Sequence, residues 1–212
     1  MGKSTLCAGL SRWLTDAGLR VDHFREEEIL TRPQFAPVAE EFKATGAVDL
    51  GTLIATTAEF ADSVLATGDD VVIADALMPF VPTLLAMGHG EETIDAFMTD
   101  LTGVLAPLCP VMVFLDGNAE AALSRAARRE GQQWLDWYVE KLARSEVSPP
   151  VADVASAVKY LLRERAVTLD TVGRQNWGLV VIEPAEGLPP DDVLRVAQRA
   201  LRPWLGRPAP PE

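Results

Sequence analysis

The sequence predicts an α/β domain built around a parallel sheet, and three observations lead to that fold class. Short apolar runs rich in β-branched residues alternate with longer stretches of helical periodicity. Two of these runs, residues 71–74 and 111–115, end on Asp75 and Asp116, as buried parallel strands with polar tips do. No internal repeat, long linker or low-complexity tract divides the chain. We therefore expect one domain, residues 1–206, followed by a disordered proline-rich tail, residues 207–212.

The first half of the chain begins with an amphipathic helix. Leucine and tryptophan side chains recur at helical spacing over residues 4–17, and a glycine ends the pattern. A strand is expected over residues 19–24, where it meets a charged run. Prolines then separate this strand from a mostly helical stretch over residues 38–65, with breaks expected near Gly46 and Gly51.

The second half repeats the order of strand and helix. After the strand over residues 71–74, prolines indicate a loop, and a helix is expected over residues 93–105 before the strand over residues 111–115. The remaining predictions are a helical stretch over residues 119–145 with a break at Gly131, a helix over residues 151–166, a polar segment at residues 173–177, a strand over residues 179–182 and a last helix over residues 189–205.

The composition is that of a globular protein with a strongly acidic balance. Hydrophobic residues make up 48% of the 212 residues and charged residues 24%, unlike disordered chains. Asp and Glu outnumber Lys and Arg by 31 to 19, which gives a formal net charge of −12. Such a surface repels nucleic-acid phosphates and acidic lipids, so we expect no nucleic-acid partner and no membrane partner. Without a membrane-length apolar run or a signal-peptide pattern, the sequence predicts a cytoplasmic protein.

The first residues carry a phosphate-binding pattern. Gly2, Lys3, Ser4 and Thr5 lead straight into the first helix, which matches the second half of the motif G-x-x-x-x-G-K-[ST]. Glycine lets the backbone approach phosphate oxygens, and the amides of a helix N-terminus attract them. Lys3 would reach the β- and γ-phosphates, and the Ser4 hydroxyl would ligate Mg²⁺. A surface turn is the alternative, but the following helix and the strand that ends on Asp75 favour nucleotide binding.

Through Gly2-Lys3-Ser4-Thr5, the chain resembles the P-loop kinases of the thymidylate kinase-like group, a nucleoside monophosphate kinase-like family. Arg25-Glu26 is similar to the Arg-Glu that follows the second strand in thymidylate kinases and helps to shape the acceptor site. Asp75 matches the aspartate of their Asp-Arg motif. Arg125 and Arg129, with Arg128 beside them, resemble the lid arginines that close over the donor phosphates.

The resemblance implies a three-layer P-loop NTPase fold, with a parallel five-stranded sheet whose central first strand is missing from this chain. We expect an open hydrophobic slot in place of that strand, and we interpret Met1 as an internal methionine of a longer natural chain. The sequence also departs from the family, because Ala76 and Glu27 stand where those kinases have arginine and proline. These departures favour an unphosphorylated hydroxyl compound over thymidylate as acceptor.

The resemblance implies an ATP-dependent phosphotransferase that uses ATP and Mg²⁺, acts on a small-molecule acceptor and is compatible with a homodimer. The alternative is a non-catalytic nucleotide-binding protein or a degenerate kinase. The predicted site contains catalytic residues Lys3, Asp75, Arg125 and Arg129, ATP-binding residues Gly2, Lys3, Ser4, Thr5 and Arg128, acceptor-binding residues Arg25 and Glu26, and Mg²⁺ ligands Ser4 and Asp75.

Several of these residues also have plain structural interpretations. Asp75 can cap a helix or turn, the arginines of residues 125–129 can belong to a solvated helix face, and Arg25-Glu26 can form an exposed turn. The remaining candidates, Cys7, Cys109, His23 and His89, show no metal-ligand spacing along the sequence. We interpret the cysteines as buried thiols of a reducing compartment and the histidines as structural or exposed.

Overall fold

The computed structural model describes residues 2–75, 78–145, 147, 149–175, 177–183 and 188–205, with Leu30 in its backbone only. The fold is mixed α/β and 69% helical, with two small parallel sheets. The helices are α1 (Lys3–Asp16), α2 (Ala36–Thr45), α3 (Leu50–Thr67), α4 (Val81–Ala86), α5 (Glu91–Leu105), α6 (Ala119–Glu130), α7 (Gln132–Arg144), α8 (Val154–Arg174) and α9 (Pro190–Leu201). The strands are β1 (Val21–Phe24), β2 (Val71–Ala74), β3 (Val111–Leu115) and β4 (Gly178–Ile182). The predicted tail lies outside the described residues.

The four strands form two separate parallel pairs. In the first pair β1 lies beside β2, in a register that places Val21 opposite Val71. In the second pair β3 lies beside β4, with Val111 opposite Gly178. The predicted parallel pairing is therefore confirmed for the described strands. The single five-stranded sheet is not found among them, because β2 and β3 are not hydrogen-bonded to each other.

A cavity of about 960 Å³ lies between the two pairs and is lined by every residue of β2 and β3. We call it the inter-sheet cavity. The sequences of these strands, VVIA and VMVFL, are entirely apolar, yet none of their residues is fully buried. Parallel strands this apolar are normally covered on both faces. The expectation that a central strand is missing at this place stays a prediction.

Helices cover the strands through three groups of buried side chains. The largest group joins β1, α3 and α5, and in it Phe24 packs against Phe35 and Phe60 with ring centroids 5.2 Å away from each. A second group joins α6, α7 and α8. The third group packs α1 and α9 against β4, with Leu6 and Leu10 at its centre. These contacts hold α1 next to both sheets.

Most element predictions are confirmed within a few residues, as Gly46 and Gly51 illustrate, one correctly and one wrongly predicted. Gly46 ends α2 with a φ of 74°, a left-handed conformation that glycine adopts without strain. The break expected near Gly51 is wrong. Asp49 caps α3 there, because its carboxylate accepts hydrogen bonds from the amides of Gly51 (2.8 Å) and Thr52 (3.2 Å). Gly51 therefore lies inside the first turn of a helix.

Two helices extend where the sequence predicts loops. Helix α4 occupies the segment interpreted as a proline-rich loop, because Pro82 stands in its first turn, where proline leaves no hydrogen bond unmade. Helix α8 continues to Arg174, so Gly173 is helical rather than part of the predicted polar segment. No helix of the described residues is long and apolar enough to cross a membrane.

Candidate functional site

The N-terminus of α1 is exposed and has no side-chain cap. Gly2 occupies the N-cap position with φ −85° and ψ 159°, and its carbonyl accepts a hydrogen bond from the Leu6 amide at 3.2 Å. Lys3, Ser4 and Thr5 are exposed, and the first turn contains no acidic residue. The first-turn amides of such a helix attract anions, because no side-chain cap and no acidic residue of the first turn competes for them.

Lys3 brings the helix N-terminus into contact with two carboxylates. Its ammonium nitrogen lies 3.3 Å from Oε2 of Glu26 and 3.8 Å from Oδ1 of Asp75. The Lys3 and Glu26 side chains are more than half exposed, whereas that of Asp75 is only 5% exposed. All three line one end of the inter-sheet cavity. The structure therefore brings together three predicted site residues from separate parts of the chain.

Asp75 and Asp116 occupy equivalent positions but differ in their partners. Each follows a strand and donates its backbone N–H at 2.8 Å to the neighbouring strand, Asp75 to the Phe24 carbonyl and Asp116 to the Ile182 carbonyl. Both oxygens of Asp116 accept hydrogen bonds from Arg165, with Nε and Oδ1 2.6 Å apart. These bonds hold the pKa of Asp116 below its usual value.

Asp75 has no comparable guanidinium partner within the described part of the chain. The Lys3 ammonium lies 3.8 Å from its Oδ1, and Nε2 of the His23 imidazole lies 4.0 Å from its Oδ2. Its Oδ1 is buried and accepts no hydrogen bond from a described residue. A buried carboxylate left in this state is available to a proton, a metal ion or a substrate group.

Sequence reasoning missed two residues of this site, Cys7 and His23. Burial raises the pKa of the Cys7 thiol to about 12, and the negative charge of Asp75 acts in the same direction. The thiol is therefore protonated at neutral pH. Two signals connect these residues to the site, because Cys7 is four residues after Lys3 on α1 and His23 pairs with Ile73 of β2. The spacing of Cys7 and Lys3 is visible in the sequence, whereas the position of His23 is known only from the pairing of β1 with β2.

None of the predicted arginines lines the inter-sheet cavity. Arg25 is exposed and precedes a 3-10 turn, Glu26–Leu30. Three arginines of α6 are exposed and do not line the inter-sheet cavity; they are Arg125, Arg128 and Arg129. Arg129 instead pairs with Glu130 at 2.6 Å. Ala76, which replaces the arginine of the family pattern, lies outside the described residues.

Comparison with known proteins gives no assignment. No protein-family model matches the chain, and no curated protein matches it significantly. A helix N-terminus with an adjacent ammonium binds anions, and a buried carboxylate next to it accepts protons or cations. An anionic substrate with a reacting hydroxyl fits both features.

Proposed function

We propose that this chain is an ATP-dependent phosphotransferase, a kinase that acts on a nucleotide, a nucleoside or another small hydroxylated molecule. The observation that carries the proposal is the position of Lys3, which begins α1 and lies 3.8 Å from the buried carboxylate of Asp75. Phosphoryl transfer needs positive groups around the phosphates and a carboxylate near the attacking hydroxyl. Lys3 would supply the positive group and Asp75 the carboxylate, and both residues line the inter-sheet cavity.

The residues at this end fit Mg²⁺ and ATP. The uncapped N-terminus of α1 supports phosphate binding by Gly2, Lys3, Ser4 and Thr5. Ser4 and Asp75 supply the hydroxyl and carboxylate oxygens that Mg²⁺ prefers, and Oδ1 of Asp75 accepts no hydrogen bond from the described residues. When bound, ATP supplies the phosphoryl group, and Mg²⁺ neutralises part of its charge.

The remaining roles follow from charge and position. Asp75 accepts the proton of the attacking hydroxyl, and its burial keeps water from competing for that proton. Glu26 lines the cavity and the exposed Arg25 precedes it in the chain, so an acceptor would bind beside these two residues. Arg125, Arg128 and Arg129 are exposed on α6 and would reach the phosphates only after α6 moves toward α1.

A second candidate is a non-catalytic nucleotide-binding protein or a degenerate kinase. It is favoured by the position of the α6 arginines outside the cavity lining and by the contacts of Lys3 with two carboxylates, which reduce its positive charge toward phosphate. Such a protein would bind ATP without transferring phosphate to any acceptor.

Calorimetric titration of the chain with ATP, with and without Mg²⁺, tests nucleotide binding. We expect Mg²⁺-dependent binding that Lys3→Ala weakens at least about tenfold, because a hydrogen bond to a charged group contributes about 1.5–3 kcal/mol. Lys159→Ala is the matched control, since Lys159 is exposed on α8 and should leave binding unchanged. The absence of Mg²⁺-dependent binding, or equal affinities of the two variants, would contradict the proposal.

An acceptor screen with γ-labelled ATP then separates the two candidate functions. For a kinase, we expect label transfer to at least one hydroxyl compound, and Asp75→Asn should slow the transfer about 10²–10⁴-fold by removing the proton acceptor. Binding of ATP without transfer to any acceptor would instead select the non-catalytic protein.

A further inference from the structure

Three potential metal ligands from three different elements meet beside the N-terminus of α1. They are Cys7 on α1, His23 on β1 and Asp75, which follows β2. One ligand atom from each of these side chains lies within 4.8 Å of the other two. We call these residues the Cys-His-Asp cluster.

Two atoms of this cluster are buried without a hydrogen-bond partner among the described residues. They are Nε2 of His23 and Oδ1 of Asp75. The His23 side chain is 13% exposed and that of Asp75 only 5%. Leaving a buried polar group unsatisfied costs about 1–3 kcal/mol, so two such atoms on neighbouring side chains of one cluster favour a ligand between them. A metal cation would satisfy both atoms, because it accepts electron pairs from an imidazole nitrogen and from a carboxylate oxygen.

We propose that the Cys-His-Asp cluster binds a divalent transition-metal ion of the zinc type. Thiolate, imidazole and carboxylate are the ligands that Zn²⁺ takes in proteins, whereas Mg²⁺ prefers oxygen ligands alone. Three protein ligands leave the fourth tetrahedral position to water or to another ligand. Binding releases the Cys7 thiol proton to solvent, and the sulfur then donates its electron pair to the metal.

The geometry needs only a small contraction. Bonds of about 2.0–2.3 Å to a tetrahedral ion place its ligand atoms about 3.3–3.8 Å apart. His23 Nε2 and Asp75 Oδ2 are 4.0 Å apart, and all three ligand atoms lie within 4.8 Å of one another. Side-chain rotations that move these atoms by roughly an ångström therefore close the site. No change of the backbone is needed for a movement of this size.

Lys3 is the group that competes with a metal ion. Its ammonium lies 3.8 Å from Oδ1 of Asp75, but the side chain is 54% exposed and also pairs with Glu26 at 3.3 Å. Metal binding therefore displaces Lys3 from Asp75 and leaves its contact with Glu26. Because Asp75 also belongs to the proposed kinase site, a bound Zn²⁺ inhibits phosphoryl transfer, yet metal binding itself requires no nucleotide.

Absorption spectroscopy with Co²⁺ as the probe tests this site directly. We expect one equivalent of Co²⁺, added to the EDTA-treated and desalted chain, to produce the near-ultraviolet charge-transfer band of a thiolate ligand and visible bands of tetrahedral intensity. Stoichiometric Zn²⁺ should abolish both bands, and a large excess of Mg²⁺ should not. The absence of a thiolate band, or its removal by Mg²⁺, would overturn the proposal.

The two cysteines provide the matched control. Cys7→Ser should abolish the charge-transfer band, whereas Cys109→Ser should retain it, because Cys109 is not part of the cluster. His23→Gln and Asp75→Asn keep the thiol and should each weaken Co²⁺ binding at least about tenfold, so they test the site even if Cys7→Ser does not fold. Unchanged Co²⁺ affinity in both of these variants, or loss of the band in Cys109→Ser alone, would refute the assignment.

Discussion

Arg165 and Asp116 form a charged pair between distant parts of the described chain. Arg165 lies on α8 and donates two hydrogen bonds to the carboxylate that follows β3. The Asp116 side chain is only 9% exposed, whereas that of Arg165 is 41% exposed. The pair therefore fixes α8 against the end of β3 while keeping one of its members in contact with water. A carboxylate this deeply placed is costly once its partner is lost.

Replacing the arginine of this pair should destabilise the protein. For Arg165→Ala we expect a loss of about 1–2 kcal/mol at pH 7, less than for a fully buried pair because solvent screens the exposed guanidinium. Urea denaturation measures the change in the free energy of unfolding. Arg144→Ala, which removes an exposed pair with Glu140, is the control and should change stability by less than about 0.5 kcal/mol. Equal losses in the two variants would show that Asp116 does not need Arg165.

The same pair has a defined pH dependence. The folded-state pKa of Asp116 is lowered from 3.8. A lowered carboxyl pKa stabilises the folded state above the unfolded pKa, and this stability is lost as pH falls through the folded pKa. The difference in the free energy of unfolding between the unaltered chain and Arg165→Ala should therefore be largest at neutral pH and become smaller below about pH 4. A stability difference that increases as the pH falls would contradict this assignment to Asp116.

At the scale of elements, the pairing of β3 with β4 depends on one glycine. Gly178 begins β4 opposite Val111, and the ring of Trp204 covers it after α9. A Cβ atom at Gly178 would lie 2.7 Å from a ring carbon of Trp204 and 2.9 Å from Cγ2 of Val111. Both distances are too short for carbon atoms, so the absence of a side chain lets the tryptophan close on the sheet.

Adding one methyl group here should therefore weaken the fold. For Gly178→Ala we expect a loss of about 1–3 kcal/mol, because Trp204 or β3 must shift to make room. Gly173→Ala is the matched control within α8, where a Cβ meets nothing within 4 Å. That change should stabilise the helix by up to about 1 kcal/mol. Thermal unfolding should show a lower midpoint for Gly178→Ala and a higher midpoint for Gly173→Ala. Midpoint changes of the same sign would contradict the close contact of Gly178 with Trp204.

The elements differ in how far the sequence predicts them. The bounds of β2 and β3 are predicted without error, because each is a short apolar run bounded by polar or proline residues. Helix α4 is missed, because prolines indicate a loop as readily as a first turn. Local sequence patterns do not determine which side chains of α1 face β1 and β2, nor the register in which these strands pair. For that reason the sequence predicts Lys3 and Asp75 but not the neighbouring Cys7 and His23.

At the scale of the whole molecule, the acidic surplus acts against compactness. Acidic residues exceed basic ones by 12, and within a folded chain this charge repels itself. The expected absence of nucleic-acid and membrane partners, and the kinase function, stay predictions. The parallel pairing could be predicted because it follows from the alternation of strands and helices, but the lining of the cavity could not, since it depends on how the helices pack around it.

Salt should raise the stability of this molecule. Raising NaCl from about 10 mM to about 150 mM shortens the Debye length from about 30 Å to about 8 Å and screens the repulsion. We expect the thermal midpoint at pH 7 to rise by about 2–4 °C, which corresponds to about 1 kcal/mol. The same series near the sequence pI of about 4.6 is the control and should show little change. A midpoint that falls with salt at pH 7 would mean that surface ion pairs outweigh the repulsion.

The inter-sheet cavity also determines how the molecule can deform. A continuous sheet is stiff across its strands, but here no backbone hydrogen bond joins β2 to β3. Helix α1 contacts β1 and β2 on one side and α9 on the other, and so bridges the two halves. Any opening or closing of the gap must tilt this helix. The first turn, with Lys3, would then move relative to Asp75, so a change in the width of the cavity would change the 3.8 Å distance between the Lys3 ammonium and the Asp75 carboxylate.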